Sequence, residues 1–164
     1  MIQVVFVILV FFIHSEFAYA TECTMRPTPI DAKRIARNPN VKSYTIAESR
    51  LVLNALLKNG NAVRIIHEGC AHSGSKAAVW LDSSTSLTDI REWLDEVIKL
   101  ARIAFEPNVV REIEALIKNG NYSKDEVSEE RLSISATPAE YIYYSMVVSR
   151  AEQGYVLLIS YIEG

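Results

Sequence analysis

Thr45-Ile46-Ala47-Glu48-Ser49-Arg50-Leu51-Val52-Leu53-Asn54-Ala55-Leu56-Leu57-Lys58-Asn59-Gly60 is the stretch from which the architecture is read. Thr45 followed three residues later by Glu48 has the form of a capping box, in which hydroxyl and carboxylate each satisfy a backbone N–H of the first turn. Leu51, Val52, Ala55 and Leu56 recur at the spacing of one helix face. Lys58-Asn59-Gly60 then supplies a cationic last turn and a left-handed stop. The pattern predicts a helix over 46–58.

Downstream, Ala62 to His67 is rich in β-branched residues, and Ala77 to Leu81 follows a Gly/Ser stretch. These predict two strands of a hairpin with a connection longer than a tight turn. Ser84-Thr85-Ser86 opens a helix over 87–104, in which Ile90, Leu94, Val97, Ala101 and Ala104 form one apolar stripe. Pro107 breaks that helix and starts a third, with Val109, Ile113, Leu116 and Ile117 facing inward. The third helix ends Lys118-Asn119-Gly120-Asn121, repeating the tetrapeptide Lys58-Asn59-Gly60-Asn61. A shared need for helix capping explains the recurrence without a duplication.

The acidic-leaning stretch 125–130 reads as a solvated loop. Beyond it the helical period gives way to alternation, with Leu132, Ile134 and Ala136 interleaved with Arg131, Ser133 and Ser135. Thr137-Pro138 and Glu152-Gln153-Gly154 mark turns, and strands over 141–149 and 155–162 complete a three-strand meander. The expected fold is therefore α+β. It has a sheet of about five antiparallel strands, a hairpin plus the C-terminal meander, with three helices packed mainly on one face in the order α-ββ-αα-βββ.

Upstream, 21–43 contains Pro27, Pro29 and Pro39 and little periodicity, which predicts an extended N-terminal arm with a short helical turn across 30–36. Residues 44–164 then make one α+β domain. The first twenty residues carry an uncharged apolar run from Val4 to Ile13 and the small-residue pair Ala18-x-Ala20, the form of a cleavable signal peptide spanning 1–20. A spanning helix needs about 20 apolar residues, so this run is too short to remain as an anchor. Glu22 and Ala20 ahead of Cys23 do not make a lipobox. The chain is expected to be exported, to the periplasm of a Gram-negative bacterium or otherwise secreted, with no membrane anchor after cleavage.

Seventeen basic and 20 acidic residues give a net charge of −3, too mild for a global field that gathers nucleic acid or anionic membrane. The two cysteines, Cys23 and Cys70, are expected to form one disulfide in an oxidising compartment. The loop spans 70 − 23 = 47 positions, for which chain entropy gives about 4 kcal/mol.

His67-Glu68-Gly69-Cys70-Ala71-His72-Ser73-Gly74-Ser75 concentrates two of the three histidines, a cysteine and a carboxylate in nine residues. As a zinc site, with His67, Cys70 and His72 as ligands, it has no fourth ligand and no established spacing. As a thiol-enzyme site, with Cys70 as nucleophile and His67 or His72 as base, it loses its nucleophile to the bridge with Cys23. The expectation is therefore no catalytic set, no metal and no cofactor, with His67, Glu68, His72 and Ser73 as a polar binding loop braced by Cys70. Tyr141 and Tyr143 alternate onto one face of the terminal sheet as a second candidate surface.

The function these features suggest is a small exported binding module that recognises another protein, in an inhibitor or immunity-type role. The alternatives are a small secreted metal- or thiol-dependent enzyme using the His67–His72 segment, and an accessory subunit of an envelope complex.

Overall fold

The computed structural model describes residues 26–69, 72–82 and 85–164. Residues 1–20, expected to be a signal peptide, and both cysteines, Cys23 and Cys70, lie outside the described residues. One antiparallel sheet of eight strands forms the frame: β1 (Val41–Ile46), β2 (Val52–Leu57), β3 (Ala62–Gly69), β4 (Ser73–Leu81), β5 (Ser123–Val127), β6 (Arg131–Ala139), β7 (Ile142–Arg150) and β8 (Tyr155–Glu163). Three helices are described: α1 (Ala32–Ala36) before β1, and α2 (Ile90–Ala104) and α3 (Pro107–Asn119) between β4 and β5. The spatial order is β1-β2-β3-β4-β8-β7-β6-β5. Two four-strand meanders thus meet back to back along the β4–β8 seam, with the helical pair as the crossover between them.

The expected five-stranded sheet in the order α-ββ-αα-βββ is overturned at three places. The helix expected over 46–58 is instead the end of β1, a turn at Ala47–Arg50 and the whole of β2; Arg50 N–H donates to Ala47 O at 2.8 Å to close the turn. Leu53, Ala55 and Leu57 are buried while Asn54 and Leu56 are exposed, so the operative period is two. The stretch satisfies both periodicities, and β2 is flanked on both sides by pairing strands, β1 and β3. Those ladders decide the conformation against a local preference of a few tenths of a kcal/mol per residue.

Second, the Gly/Ser connection is short: β3 runs on to Gly69 and β4 begins at Ser73, with His67 opposite Ser75 and Glu68 opposite Gly74. Third, the acidic stretch is not all loop, because 123–127 forms the edge strand β5 against β6. The recurrent Lys-Asn-Gly-Asn also divides. Gly120 caps α3 in the left-handed region at φ 66°, whereas Gly60, at φ 92°, sits in the turn between β2 and β3.

The remaining elements follow their local chemistry. Asp31 caps α1 by accepting from Lys33 and Arg34 N–H at 3.0 and 3.1 Å. Along α2, Trp93, Leu94, Val97, Leu100, Ala101 and Ala104 are buried, and Pro107 at the first position of α3 stops the chain from continuing α2. The C-terminal meander forms, but its first turn is at 140–141 and not at Thr137-Pro138, which the irregularity between Ala136 and Ala139 keeps within β6; the second turn is at 151–154. Within the segment assigned to the N-terminal arm, Ile30 and Ile35 are fully buried and join the same core as the sheet.

All three helices lie on one face. Trp93 of α2 packs edge-on against Tyr155 of β8 with ring centroids 5.1 Å apart, and its indole N–H donates to Ser86 O at 2.9 Å. Arg34 ties α1 to the end of α2 by donating to Ile103 O and Ala104 O at 3.3 and 2.7 Å. Its Nε lies 3.2 Å from a Glu106 carboxylate oxygen but finds no aligned acceptor, so that contact is an ion pair and not a hydrogen bond.

Candidate functional site

Strand register decides which polar side chains meet. His67, Ser75, Tyr161 and Tyr144 are successive cross-strand partners over β3, β4, β8 and β7, so they form one row on the helix side. Two positions further on, Ser73 pairs with Glu163. The row before, with Ile65, Ala77, Ile159 and Met146, is buried core. The inner face therefore changes from apolar to polar at this end of the sheet, where α3 begins. A cleft of about 250 Å³ opens there, with His67, Ser75, Tyr161, Glu163 and Asn108 on its walls.

Three of the expected binding-loop residues, His67, Glu68 and Ser73, line this cleft. They belong to β3 and β4, not to a loop. His72 lies beyond it, at the β3–β4 turn beside the C-terminal Gly164. His67 Nδ1 is 2.7 Å from Thr28 O. A carbonyl only accepts, so Nδ1 carries the hydrogen and Nε2 of the neutral ring is left as the acceptor. Glu68 is held by Lys76 at 2.6 Å, and Ser73 Oγ donates a long 3.5 Å bond to Glu163 O.

Tyr161 closes the far wall, backed by Tyr144. Tyr144 and Tyr161 stack with centroids 5.2 Å apart and planes at 28°. The Tyr144 hydroxyl donates to Glu112 of α3, and the Tyr161 hydroxyl donates to Glu163 at 2.6 Å. Burial first, then the adjacent carboxylate, pushes both phenols well above their ordinary value. Both are therefore proton donors held in place, not bases. Among the described residues, this end of the sheet offers the His67 ring beside Ser75 and two phenol hydroxyls committed to carboxylates.

The opposite face of the sheet is covered by no described element. Tyr143 lies on it and is 40% exposed. Tyr141 occupies the β6–β7 turn with a left-handed backbone, φ 69°; its carbonyl accepts from Gly164 N–H at 2.8 Å while its side chain is 68% exposed. Trp80, 46% exposed, is the larger aromatic of this face and was missed by sequence reasoning. It pairs with Val156, while Ala78 pairs with Leu158, and Leu158 with Val147. Alternation within 73–81 and 155–163 carried that signal, but only the β4–β8 pairing puts these residues side by side. The central strands of this face hold one charge, Lys76, which is paired with Glu68.

Comparison with protein-family models, curated proteins and solved structures finds no match to this chain.

Proposed function

We propose that this chain is an exported, non-enzymatic binding module that recognises another protein through the uncovered face of its sheet. The observation that carries the reading is the apolar patch of Trp80, Ala78, Val156, Leu158 and Val147 across three central strands, with Tyr143 on the same face beyond the polar row of Lys76, Ser160 and Ser145. A sheet face exposed to water along its length normally alternates to polar residues, as it does in the serines at 133, 135, 145 and 149. A contiguous apolar patch that includes an exposed tryptophan and is rimmed by polar residues is the composition of an interface core. Export is supported by the apolar run, the Ala18-x-Ala20 pair and the even cysteine count.

The test is footprinting of Trp80 and Tyr143 in the native compartment extract against the purified chain, together with co-purification. Protection of both side chains is expected, with a stoichiometric protein recovered by the wild type and lost in Trp80→Glu and Leu158→Glu. Equal labelling in extract and in pure solution overturns the reading. So does protection arising from a second copy of this chain, seen as a dimer by light scattering. N-terminal sequencing of the secreted form should begin at Thr21, and an intact Met1 terminus overturns export.

A further inference from the structure

A second concavity lies on the helix side, far in the fold from the uncovered face, so its test is independent of the reading above. Between α2 and the β2–β3 turn runs a trench made of two adjoining cavities of about 320 and 280 Å³, the size of ligand pockets. The shared middle carries Asn59, Asn61, Leu81, Glu96 and Lys99. Its floor toward the C-terminal end of α2 is apolar and buried, formed by Leu57, Val63, Val79, Leu100 and Ile103. Along α2 the wall extends from Glu92 to Ile103, 103 − 92 = 11 residue steps, or about 16 Å at 1.5 Å per residue. An extended chain of about five residues has that length.

The rim is fixed and has a polarity. Lys58 N–H donates to Asn40 O at 2.9 Å, and Leu57 N–H donates to Asn61 O at 2.8 Å, which locks the turn against β1 and β2. Asn59 Oδ1 accepts from Asn61 N–H at 3.1 Å, leaving the Asn59 amide NH₂ to donate outward. Each carboxamide offers the donor and acceptor of a peptide group. Lys58, with no ion pair among the described residues, stands at the apolar end beside Asn40, while Asp82 and Glu92 stand at the other end. Lys99 and Glu96 neutralise one another in the middle at 2.6 Å.

We infer that this trench binds a short extended peptide of about five residues, cationic at its N-terminal end, with an apolar side chain next to an anionic C-terminal end. The amides of Asn59 and Asn61 pair with its backbone, Lys58 takes the carboxylate, and the ammonium or guanidinium end lies against Asp82 and Glu92. The apolar side chain enters the floor over Val63 and Leu100.

The probe is the synthetic pentapeptide Arg-Gly-Ser-Leu-Asp, with the reversed sequence Asp-Leu-Ser-Gly-Arg as control, titrated into the full chain and followed by nuclear magnetic resonance. Saturable shifts are expected in the Asn59 and Asn61 side-chain amides and the Trp93 indole, with the reversed peptide at least tenfold weaker. Lys58→Glu, an exposed change that leaves the fold intact by circular dichroism, should weaken the forward peptide at least tenfold. The same variant should gain affinity for Arg-Gly-Ser-Leu-Lys amide. Absence of shifts at millimolar peptide, equal binding of the reversed sequence, or indifference to Lys58→Glu each overturns the inference. So does equal binding of isoamyl alcohol, which would mean that the apolar floor alone is recognised.

Discussion

Single residues carry two constraints that are read from distances. Gly154 turns β7 into β8 at φ 86°, and a Cβ there would stand 2.2 Å from Leu81 O. Gly60 has a similar φ of 92° but open space around it. Gly60→Ala should therefore lose only the left-handed penalty of about 1–2 kcal/mol. Gly154→Ala should lose more than about 3 kcal/mol, because backbone must also move. Urea midpoints decide the order, and equal losses would mean that the turn relaxes freely.

Tyr144 supplies the second constraint. Its folded pKa lies above the unfolded value of 10.0. Above pH 10 the unfolded chain gives up a proton that the folded chain keeps, so stability is full below about pH 10 and falls as pH rises beyond it. Tyr144→Phe should flatten the decline of the urea midpoint between pH 9 and 11. An unchanged slope would place the titrating group elsewhere. Sequence reading singled out the neighbouring Tyr141 and Tyr143 of the same segment. It could not find Glu112 as the acceptor, which comes from α3, 32 positions away.

At the scale of elements, the two sheet edges are protected in the same manner. β1 is bulged between Val41 and Ser43, and β5 between Lys124 and Glu126. Both strands are exposed along most of their length, and β5 is Ser-Lys-Asp-Glu-Val. Charges and bulges on an edge hinder pairing with another chain. Replacing Lys124, Asp125 and Glu126 together by Thr should leave the fold intact but raise light scattering within hours at concentrations where the wild type stays clear. A clear solution would show that β5 is not what keeps this edge single. The same charges hid β5 from sequence reading, since a strand with no buried residue shows no period. β2 was hidden for the opposite reason: its apolar residues satisfy two periods at once. α2, α3 and the C-terminal meander were legible because their stripes or alternation fit one period and are bounded by Pro107, Gly120 and Gly154.

For the whole molecule, the strand order makes two four-strand halves joined along β4–β8, and a single core takes residues from both. Leu53, Val63 and Val79 of the first half pack in the same cluster as Leu132, Val148 and Leu157 of the second. Unfolding should therefore be one cooperative transition, with far-ultraviolet circular dichroism and Trp emission coincident in urea. Separate midpoints would mean that the halves are independent units. The amino-acid sequence by itself determined the helical pair, the Pro107 start and Gly120 stop of its second helix, the last three strands and the antiparallel α+β class, because those depend largely on contacts within a few residues. The opening at 84–86 and the turn at Thr137-Pro138 were misplaced, since α2 starts at Ile90 and β6 runs to Ala139. It also placed His67, Glu68 and Ser73 in one polar segment. Tertiary structure alone decided that the sheet has eight strands, that β4 meets β8, and that Trp80 and Leu158 share an uncovered face. The physical reason is that hydrogen-bond ladders between strands distant in sequence select among local conformations that lie within a few kcal/mol of one another.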